Sequence, residues 1–160
     1  MRTASFVGEH ERTIDSKNRL SIPAEYRTLE VEERDRCVFY VVPGSRNGTL
    51  SLYTEASFAE HEKEISSDFL PDEDELTFMQ MFYSQATRLD VDKQGRVLLP
   101  ERVLKRNEIG REVYITGAKD RLDVWNKSEY EAFWARNGPR LEEVQRRARK
   151  AKVRRGGVAD

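Results

Sequence analysis

One nine-residue pattern occurs twice in this chain of 160 residues. The second copy, residues 92–100, has the sequence DKQGRVLLP, and the first copy, residues 15–23, has the sequence DSKNRLSIP. Each copy consists of Asp, three mostly polar residues, Arg, three largely apolar residues and Pro, and the two copies lie 77 residues apart. A duplication at a fixed offset indicates two copies of one supersecondary unit that pack against each other.

The residues between Asp and Arg predict a tight turn in each copy. Gly95 precedes Arg96 in the second copy, and Asn18 has the same position before Arg19 in the first. Gly and Asn most readily adopt a positive φ, so both copies are compatible with one backbone, a hairpin loop closed by a left-handed residue. The residues after the turn predict a short, half-buried strand, which Pro ends because it has no N–H to donate to a ladder.

The similarity between the two halves continues beyond this motif. Each half contains a short helix, a β run, a second strand and a longer helix. The matched segments are residues 24–27 with 101–105, 37–42 with 113–115, and 50–53 with 122–125, after which Tyr130 falls where Phe58 does. A four-stranded unit of roughly 45 residues is too small to close its own core, so we expect the two units to interlock into one β-barrel.

Two helices are predicted between the repeated hairpins. The first spans residues 54–65 and begins either at Thr54 or at Ser57, which has capping-box spacing to Glu60. Pro71 and the four acidic residues after it favour the start of the second helix. Its predicted buried side consists of Leu76, Met79, Phe82 and Tyr83.

The C-terminal region is predicted to be helical at first and disordered at the end. Ser128 has capping-box spacing to Glu131, and Asn137-Gly138-Pro139 ends that helix. The apolar spacing from Leu141 to Ala151 predicts a further, weaker helix. We expect disorder from about Lys152 to Asp160.

The charges are distributed unevenly along the chain. The formal net charge is only −1, so the protein is not a uniformly basic nucleic-acid binder. Residues 60–75 nevertheless carry a net charge of −7, and residues 136–155 carry +7. The basic tail is compatible with a contact to nucleic acid, with a ring contact to the acidic segment of a neighbouring subunit, or with a solvated helix end.

Recognisable motifs for catalysis, metal binding or membrane insertion are missing from the sequence. His10 and His61 lie 51 residues apart, without a Cys or second His at metal-ligand spacing, and no P-loop or nucleophile elbow occurs. Cys37 is predicted to be a buried, inert thiol. No apolar run reaches the roughly 18 residues of a membrane helix, and no signal peptide is recognised. We therefore expect a soluble, cytoplasmic non-enzyme without a cofactor, a metal or a small-molecule substrate.

Three features together resemble the MraZ family: the paired Asp-x-x-x-Arg hairpins, the Pro after the following strand, and the Leu-x-Val-Trp strand at residues 122–125. The resemblance covers about Phe6 to Phe133 and leaves out the basic C-terminal extension. It implies an α+β fold, in which two tandem SpoVT-AbrB-type repeats form a double-split, swapped-hairpin β-barrel flanked by helices. The implied segments are repeat 1 at 8–57, an acidic helical connection at 58–84, repeat 2 at 85–128, and a C-terminal helix with a basic tail at 129–160.

The resemblance also implies a transcriptional regulator. A ring-shaped homo-oligomer would bind double-stranded DNA in the nucleoid, at direct repeats in its own promoter upstream of the cell-wall and division gene cluster. Arg at the tip of a two-stranded ribbon can pair with guanine or with phosphate in the major groove. The candidate DNA-binding residues are Arg12, Lys17 and Arg19 in the first hairpin, with Arg19 as the leading contact, and Arg88, Lys93 and Arg96 in the second.

Four hairpin residues are interpreted as structural, namely Asp15, Asn18, Asp92 and Gly95. Each Asp would pair with the Arg of its own turn, because a carboxylate that faced phosphate would repel it. A different hypothesis is an AbrB-like antitoxin or protein-interaction module that acts through the C-terminal tail. The doubled unit argues against it, because such antitoxins carry a single copy per chain.

Overall fold

The computed structural model describes residues 5–27, 37–65 and 69–156. The strands in these ranges are β1 Glu9–Thr13, β2 Arg19–Ser21, β3 Val38–Pro43, β4 Thr49–Thr54, β5 Thr87–Asp90, β6 Arg96–Leu98, β7 Glu112–Gly117 and β8 Arg121–Asn126. The helices are α1 Ala24–Arg27, α2 Glu55–Glu62, α3 Glu73–Gln85, α4 Glu101–Arg106, α5 Lys127–Asn137 and α6 Leu141–Gly156. The chain divides into two compact units, Met1–Lys127 with all the strands, and Ser128–Asp160.

The strands form a six-stranded antiparallel sheet and a separate two-stranded ribbon. The order in the sheet is β1-β7-β8-β4-β3-β5, and the ribbon consists of β2 and β6. This arrangement with helices confirms the predicted α+β class. No ladder among the described residues joins the sheet and the ribbon into one closed ring of strands.

The two repeats exchange strands. β1 of the first repeat pairs with β7 of the second, and β5 of the second pairs with β3 of the first. β4 pairs with β8, and β2 pairs with β6, so these ladders also join one repeat to the other. The expectation that the two units interlock is therefore confirmed for the strand pairing.

The ribbon completes the main core. Leu20 of β2 lies opposite Val97 of β6, and neither side chain is exposed to solvent. They belong to one apolar cluster with residues from the large sheet, including Phe39, Leu50 and Ile115. Complete burial of such a side chain contributes roughly 1.5–3 kcal/mol. The ribbon is thus held in place by the same core that holds the sheet.

A second apolar cluster lies where α2 and α3 pack on the sheet. Phe58 of α2 stacks on Tyr40 with ring centroids 4.6 Å apart, and Phe82 of α3 lies 6.4 Å from Phe58. The predicted buried side of α3 was wrong in part, because Leu76 and Tyr83 are exposed and Met79 is only half-buried. The helix buries only Phe82 and Gln85, so its packing against the sheet is confined to its last turns.

The structure decides between the two predicted starts of α2 and corrects the predicted start of α5. Thr54 is the N-cap of α2, and its side chain accepts a hydrogen bond from the backbone N–H of Ser57. Ser57 is therefore the residue whose backbone N–H is capped, and it is not the N-cap residue. Ser128 likewise lies inside α5, which already begins at Lys127. In α3 the capping box is complete, with Asp72 as the N-cap and Glu75 as its partner.

The predicted disorder after Lys152 was wrong up to Gly156, where α6 ends. The expected break is confirmed, because the 3-10 helix Gly138–Arg140 separates α5 from α6. The sequence of α6 is rich in Ala, Arg, Lys, Gln and Glu, the residues with the highest helix propensity. Its acidic residues lie in the first turn and its last turn is basic, which complements the helix dipole.

Candidate nucleic-acid interface

The first hairpin turn is built around the carboxylate of Asp15. One carboxylate oxygen accepts hydrogen bonds from the backbone N–H groups of Lys17 and Arg19, each at 2.9 Å, and the other accepts from Arg19 Nε at 2.7 Å. Asn18 closes the turn with φ of 63°. The hydrogen bonds that the internal-pair interpretation requires are therefore present.

The second turn repeats this geometry. Asp92 accepts from the backbone N–H groups of Gln94 and Arg96, each at 2.9 Å, and from Arg96 Nε at 3.2 Å. Gly95 closes the turn with φ of 79°, and a Cβ there would lie 2.6 Å from Cζ of Arg27. A larger residue at position 95 would therefore require the end of the Arg27 side chain to shift.

Hydrogen bonding lowers the pKa of both turn carboxylates. The largest cause at Asp15 is the backbone N–H of Arg19, and at Asp92 it is the backbone N–H of Arg96. Bonds that favour the charged form of a carboxylate lower its pKa. The two acids are therefore ionised at neutral pH and hold their turns in shape.

Arg111 supports the first turn from the other repeat, and the sequence patterns did not identify it. Its Nη1 donates to the backbone carbonyl of Asp15 and, at 3.1 Å, to Oδ1 of Asn18. The backbone carbonyl of Arg111 accepts a hydrogen bond from the backbone N–H of Ile14 at 2.8 Å. The corresponding bond at the second turn runs from the backbone N–H of Val91 to the carbonyl of Cys37, at 3.0 Å. Arg111 and the half-buried Cys37 are thus at equivalent positions. Among the described residues, the second turn has no Arg that bonds it in the same way.

The ribbon brings the two motif arginines onto one face. In the β2–β6 register, Arg19 lies opposite Leu98 and Ser21 lies opposite Arg96. These four side chains alternate with the buried pair Leu20 and Val97, so they lie on the outer face of the ribbon. The side chains of Arg19 and Arg96 are 32% and 27% exposed, and Leu98 is 62% exposed.

The two turns lie at opposite ends of this ribbon. Leu99 N donates to the carbonyl of Asn18 at 2.8 Å, and Ile22 N donates to the carbonyl of Gly95 at 2.9 Å. The two bonds are four residue steps apart along the ribbon, which corresponds to roughly 14 Å. We call the outer side of residues 15–22 and 92–99 the ribbon face. Exposed Lys17 lies at one end of it and exposed Lys93 at the other.

The remaining two candidate bases do not join the ribbon face. Arg12 is on β1 and Arg88 is on β5, which are the opposite edge strands of the six-stranded sheet. Nη1 of Arg12 donates to the carbonyl of Glu11 at 2.8 Å. Arg88 is exposed and lies opposite Tyr40 in the ladder with β3. The structure therefore brings together four of the six predicted bases.

Two other kinds of feature, a metal site and a membrane-spanning helix, are absent from the described residues. These residues contain no group of three or more His, Cys, Asp and Glu side chains arranged to hold a metal ion. None of the helices within 5–27, 37–65 and 69–156 is long and apolar enough to cross a membrane.

Comparison with known protein families agrees with the duplicated architecture. The family model described as "MraZ protein, putative antitoxin-like" matches residues 5–79 and 82–152. The chain belongs to the MraZ family. Each matched segment contains one Asp-x-x-x-Arg turn. The second segment runs to residue 152, so the MraZ match includes most of α6 and does not end near Phe133 as we expected.

Curated relatives that are named transcriptional regulator MraZ match this chain over most of their length. The chain is 32% identical to the transcriptional regulator MraZ of Desulforamulus reducens over 139 residues, which cover 87% of this chain and 94% of the relative. It is 32% identical to that of Moorella thermoacetica over 80% of this chain and 85% of the relative. The MraZ of Ligilactobacillus salivarius is 30% identical over the same shares.

The lowered pKa values predict how the turns respond to acid. Carboxylates whose pKa falls on folding stabilise the fold at neutral pH, and this contribution is lost as the pH falls below the usual value of 3.8. The double variant Asp15→Asn and Asp92→Asn should therefore melt a few degrees below the wild type at pH 7. The difference in Tm, measured by circular dichroism, should shrink below about pH 3.

Asp90→Asn serves as the matched control, because Asp90 is an exposed carboxylate two residues before Asp92. It should melt like the wild type at both pH values. A Tm difference for the double variant that stays constant from pH 7 to pH 2 would contradict the role of the ionised carboxylates.

Proposed function

We propose that this chain is a DNA-binding transcriptional regulator that inserts the ribbon face into the major groove and acts by occupying a promoter. The observation that carries the proposal is the presence of Arg19 and Arg96 on one exposed face, with a Lys at each end. The names of the MraZ relatives support the same class of function. Such a protein would work in the cytoplasm, on the nucleoid.

The chemistry of the ribbon face suits the edges of bases. Nε of Arg19 is held by Asp15, while none of the described hydrogen bonds uses its terminal nitrogens. A guanidinium oriented in this way can donate to guanine O6 and N7. Leu98 adds an apolar contact of the type that recognises a thymine methyl group.

Arg19 is the residue that we propose as the leading contact. Its turn is supported by Arg111 from the other repeat, so less conformational freedom is lost when the guanidinium binds. Arg96 has the same local geometry without that support. Lys17 and Lys93 would contact phosphates, and Arg12 and Arg88 would extend such contacts along the sheet edges.

Oligomerisation is a necessary part of this proposal. The ribbon sequences 15–21 and 92–98 contain four bases and two acids, so a single ribbon would bind weakly and with strong salt dependence. A ring-shaped homo-oligomer on direct repeats would raise the affinity through avidity. We propose the same target as for the family, direct-repeat boxes in its own promoter upstream of the cell-wall and division genes.

α3 offers a surface for such a ring. It exposes large apolar side chains on two sides: Leu76 and Tyr83, seven positions apart, are 38% and 39% exposed, and Phe78 and Met81, neighbours on the opposite side, are 52% and 66% exposed. Neighbouring exposed apolar side chains of this size are typical of protein interfaces. We propose that the side with Phe78 and Met81 contacts an adjacent subunit.

Within each subunit, we propose that the sheet and the ribbon form the double-split barrel. The shared core supports this proposal, because Leu20 and Val97 of the ribbon pack in the cluster that contains the sheet residues.

A second candidate is an antitoxin-like interaction module that acts through the C-terminal tail. The description of the family model favours it. Under this hypothesis the ribbon face has no ligand, so the ribbon variants described next would keep their function.

Replacing Arg19 by Ala should abolish specific promoter binding and leave the fold intact, because the guanidinium is on the outer face of the ribbon. Fluorescence anisotropy with a labelled promoter duplex at moderate salt measures the affinity. Lys63→Ala is the control, since Lys63 is an exposed base on the C-terminal side of α2 and pairs only with Glu60. Unchanged affinity of Arg19→Ala would refute the assignment.

The double variant Phe78→Glu and Met81→Glu should reduce the mass of the oligomer, because two carboxylates would lose their hydration in the apolar contact that we propose. Size-exclusion chromatography with light scattering gives the mass. Val7→Glu, which changes a side chain that is 65% exposed outside α3, should leave it unchanged. If the α3 variant keeps the wild-type mass, the subunit contact lies elsewhere.

A further inference from the structure

α6 is a long helix without a buried side. It spans 16 residues, Leu141–Gly156, and none of them is buried. The proposed function above uses none of its residues. Its sequence contains seven bases and two acids, Glu142 and Glu143, both of which lie in the first turn.

The bases of α6 are mostly unneutralised. Glu143 is engaged by Arg140 at 3.2 Å and by Arg147, and these contacts lower its pKa. Within the described part of the chain, no ion pair is formed by the other six bases of the helix, which are Arg146, Arg149, Lys150, Lys152, Arg154 and Arg155.

Four of these bases form one stripe along the helix. Arg146, Arg149, Lys150 and Arg154 follow the spacing i, i+3, i+4 and i+8, which puts them on the same face. They line one shallow surface depression together with Glu142, Gln145 and Val153, so four bases and one acid border it. At a rise of about 1.5 Å per residue, the stripe is roughly 12 Å long. We call these four residues the α6 stripe.

The composition of α6 favours a phosphate backbone, and not a lipid surface, as the binding partner of the stripe. Helices that lie in a membrane interface insert Trp, Phe or Leu on the side opposite their bases. The opposite side of α6 contains Leu141, Val144, Ala148 and Ala151, and residues 141–156 include no aromatic residue. Three of the four stripe residues are Arg, whose planar guanidinium matches the geometry of phosphate oxygens.

We propose that the α6 stripe is a second nucleic-acid-binding site, which holds the phosphate backbone of duplex DNA without regard to sequence. It shares no residue with the ribbon face, and it adds affinity that depends on salt and not on the operator.

The test is a salt titration with the full chain and a duplex of unrelated sequence. Each phosphate contact contributes about −0.9 to the slope of log K against log salt. The stripe variant, with Arg146, Arg149, Lys150 and Arg154 all replaced by Gln, should reduce the magnitude of the slope by about 3 to 4 per chain if all four contacts are made. Gln preserves helix propensity, and circular dichroism verifies the helix.

The matched control replaces Lys152 and Arg155 by Gln, since these two bases lie on the same helix but off the stripe. It should change the slope by less than about 1. Equal slopes for the stripe variant and the wild type would overturn the proposal, and so would equal losses in the stripe and control variants.

Two further measurements separate this site from the alternatives. The stripe substitutions should reduce the salt slope in the Arg19→Ala variant as they do in the wild type. A failure of the ribbon proposal would therefore leave this result unchanged. Stripe-dependent pelleting with phosphatidylserine vesicles, or stripe-dependent oligomer mass, without any effect on DNA binding would assign α6 to a membrane or to a subunit contact and overturn the proposal.

Discussion

The exchange of strands between the two repeats is the constraint on which the structure depends. Four ladders join one repeat to the other, and only β3–β4 and β7–β8 lie within a repeat. The ladder between β2 and β6, which forms the ribbon, is the shortest of these ladders, with three residues in each strand. An isolated two-stranded ribbon is marginal in water. Here the buried pair Leu20 and Val97 fixes it to the common core, so the exposed side of the ribbon is presented on a rigid base.

The duplication, the tight turns, the short helices after them and the α+β class could be predicted from the sequence. These features follow from local patterns, such as Asn or Gly before Arg and Pro after the strand. The hairpins were wrong in their strand pairing, because β1 pairs with β7 and not with β2, and β5 pairs with β3 and not with β6. The pairing of β2 with β6 could not be predicted, because it depends on which strands of two similar units meet. The consequence is that Arg19 and Arg96, expected on two separate hairpins, share one face.

The other differences have similar causes. Leu98 lies among apolar residues, and only the register with Arg19 reveals that its side chain faces outward. Arg111 acts on a turn 93 residues away from it in the chain, at Asn18, so no local motif marks it. In α3, the apolar spacing correctly predicted a helix, but the spacing alone could not distinguish a side packed on the sheet from one left exposed. At the end of α6, the terminal position suggested disorder from about Lys152, whereas helix propensity and the order of charges are sufficient to continue the helix to Gly156.

The central claim is that the ribbon face is the surface that reads DNA, and photocrosslinking tests it most directly. Leu98 is 62% exposed on the ribbon, so p-benzoylphenylalanine can replace it without filling the core. The same photoreactive residue at Phe78, which is 52% exposed on α3, serves as the comparison. The account predicts crosslinks from position 98 to a duplex of the chain's own promoter and none from position 78. Crosslinks from position 78 without any from position 98 would contradict it.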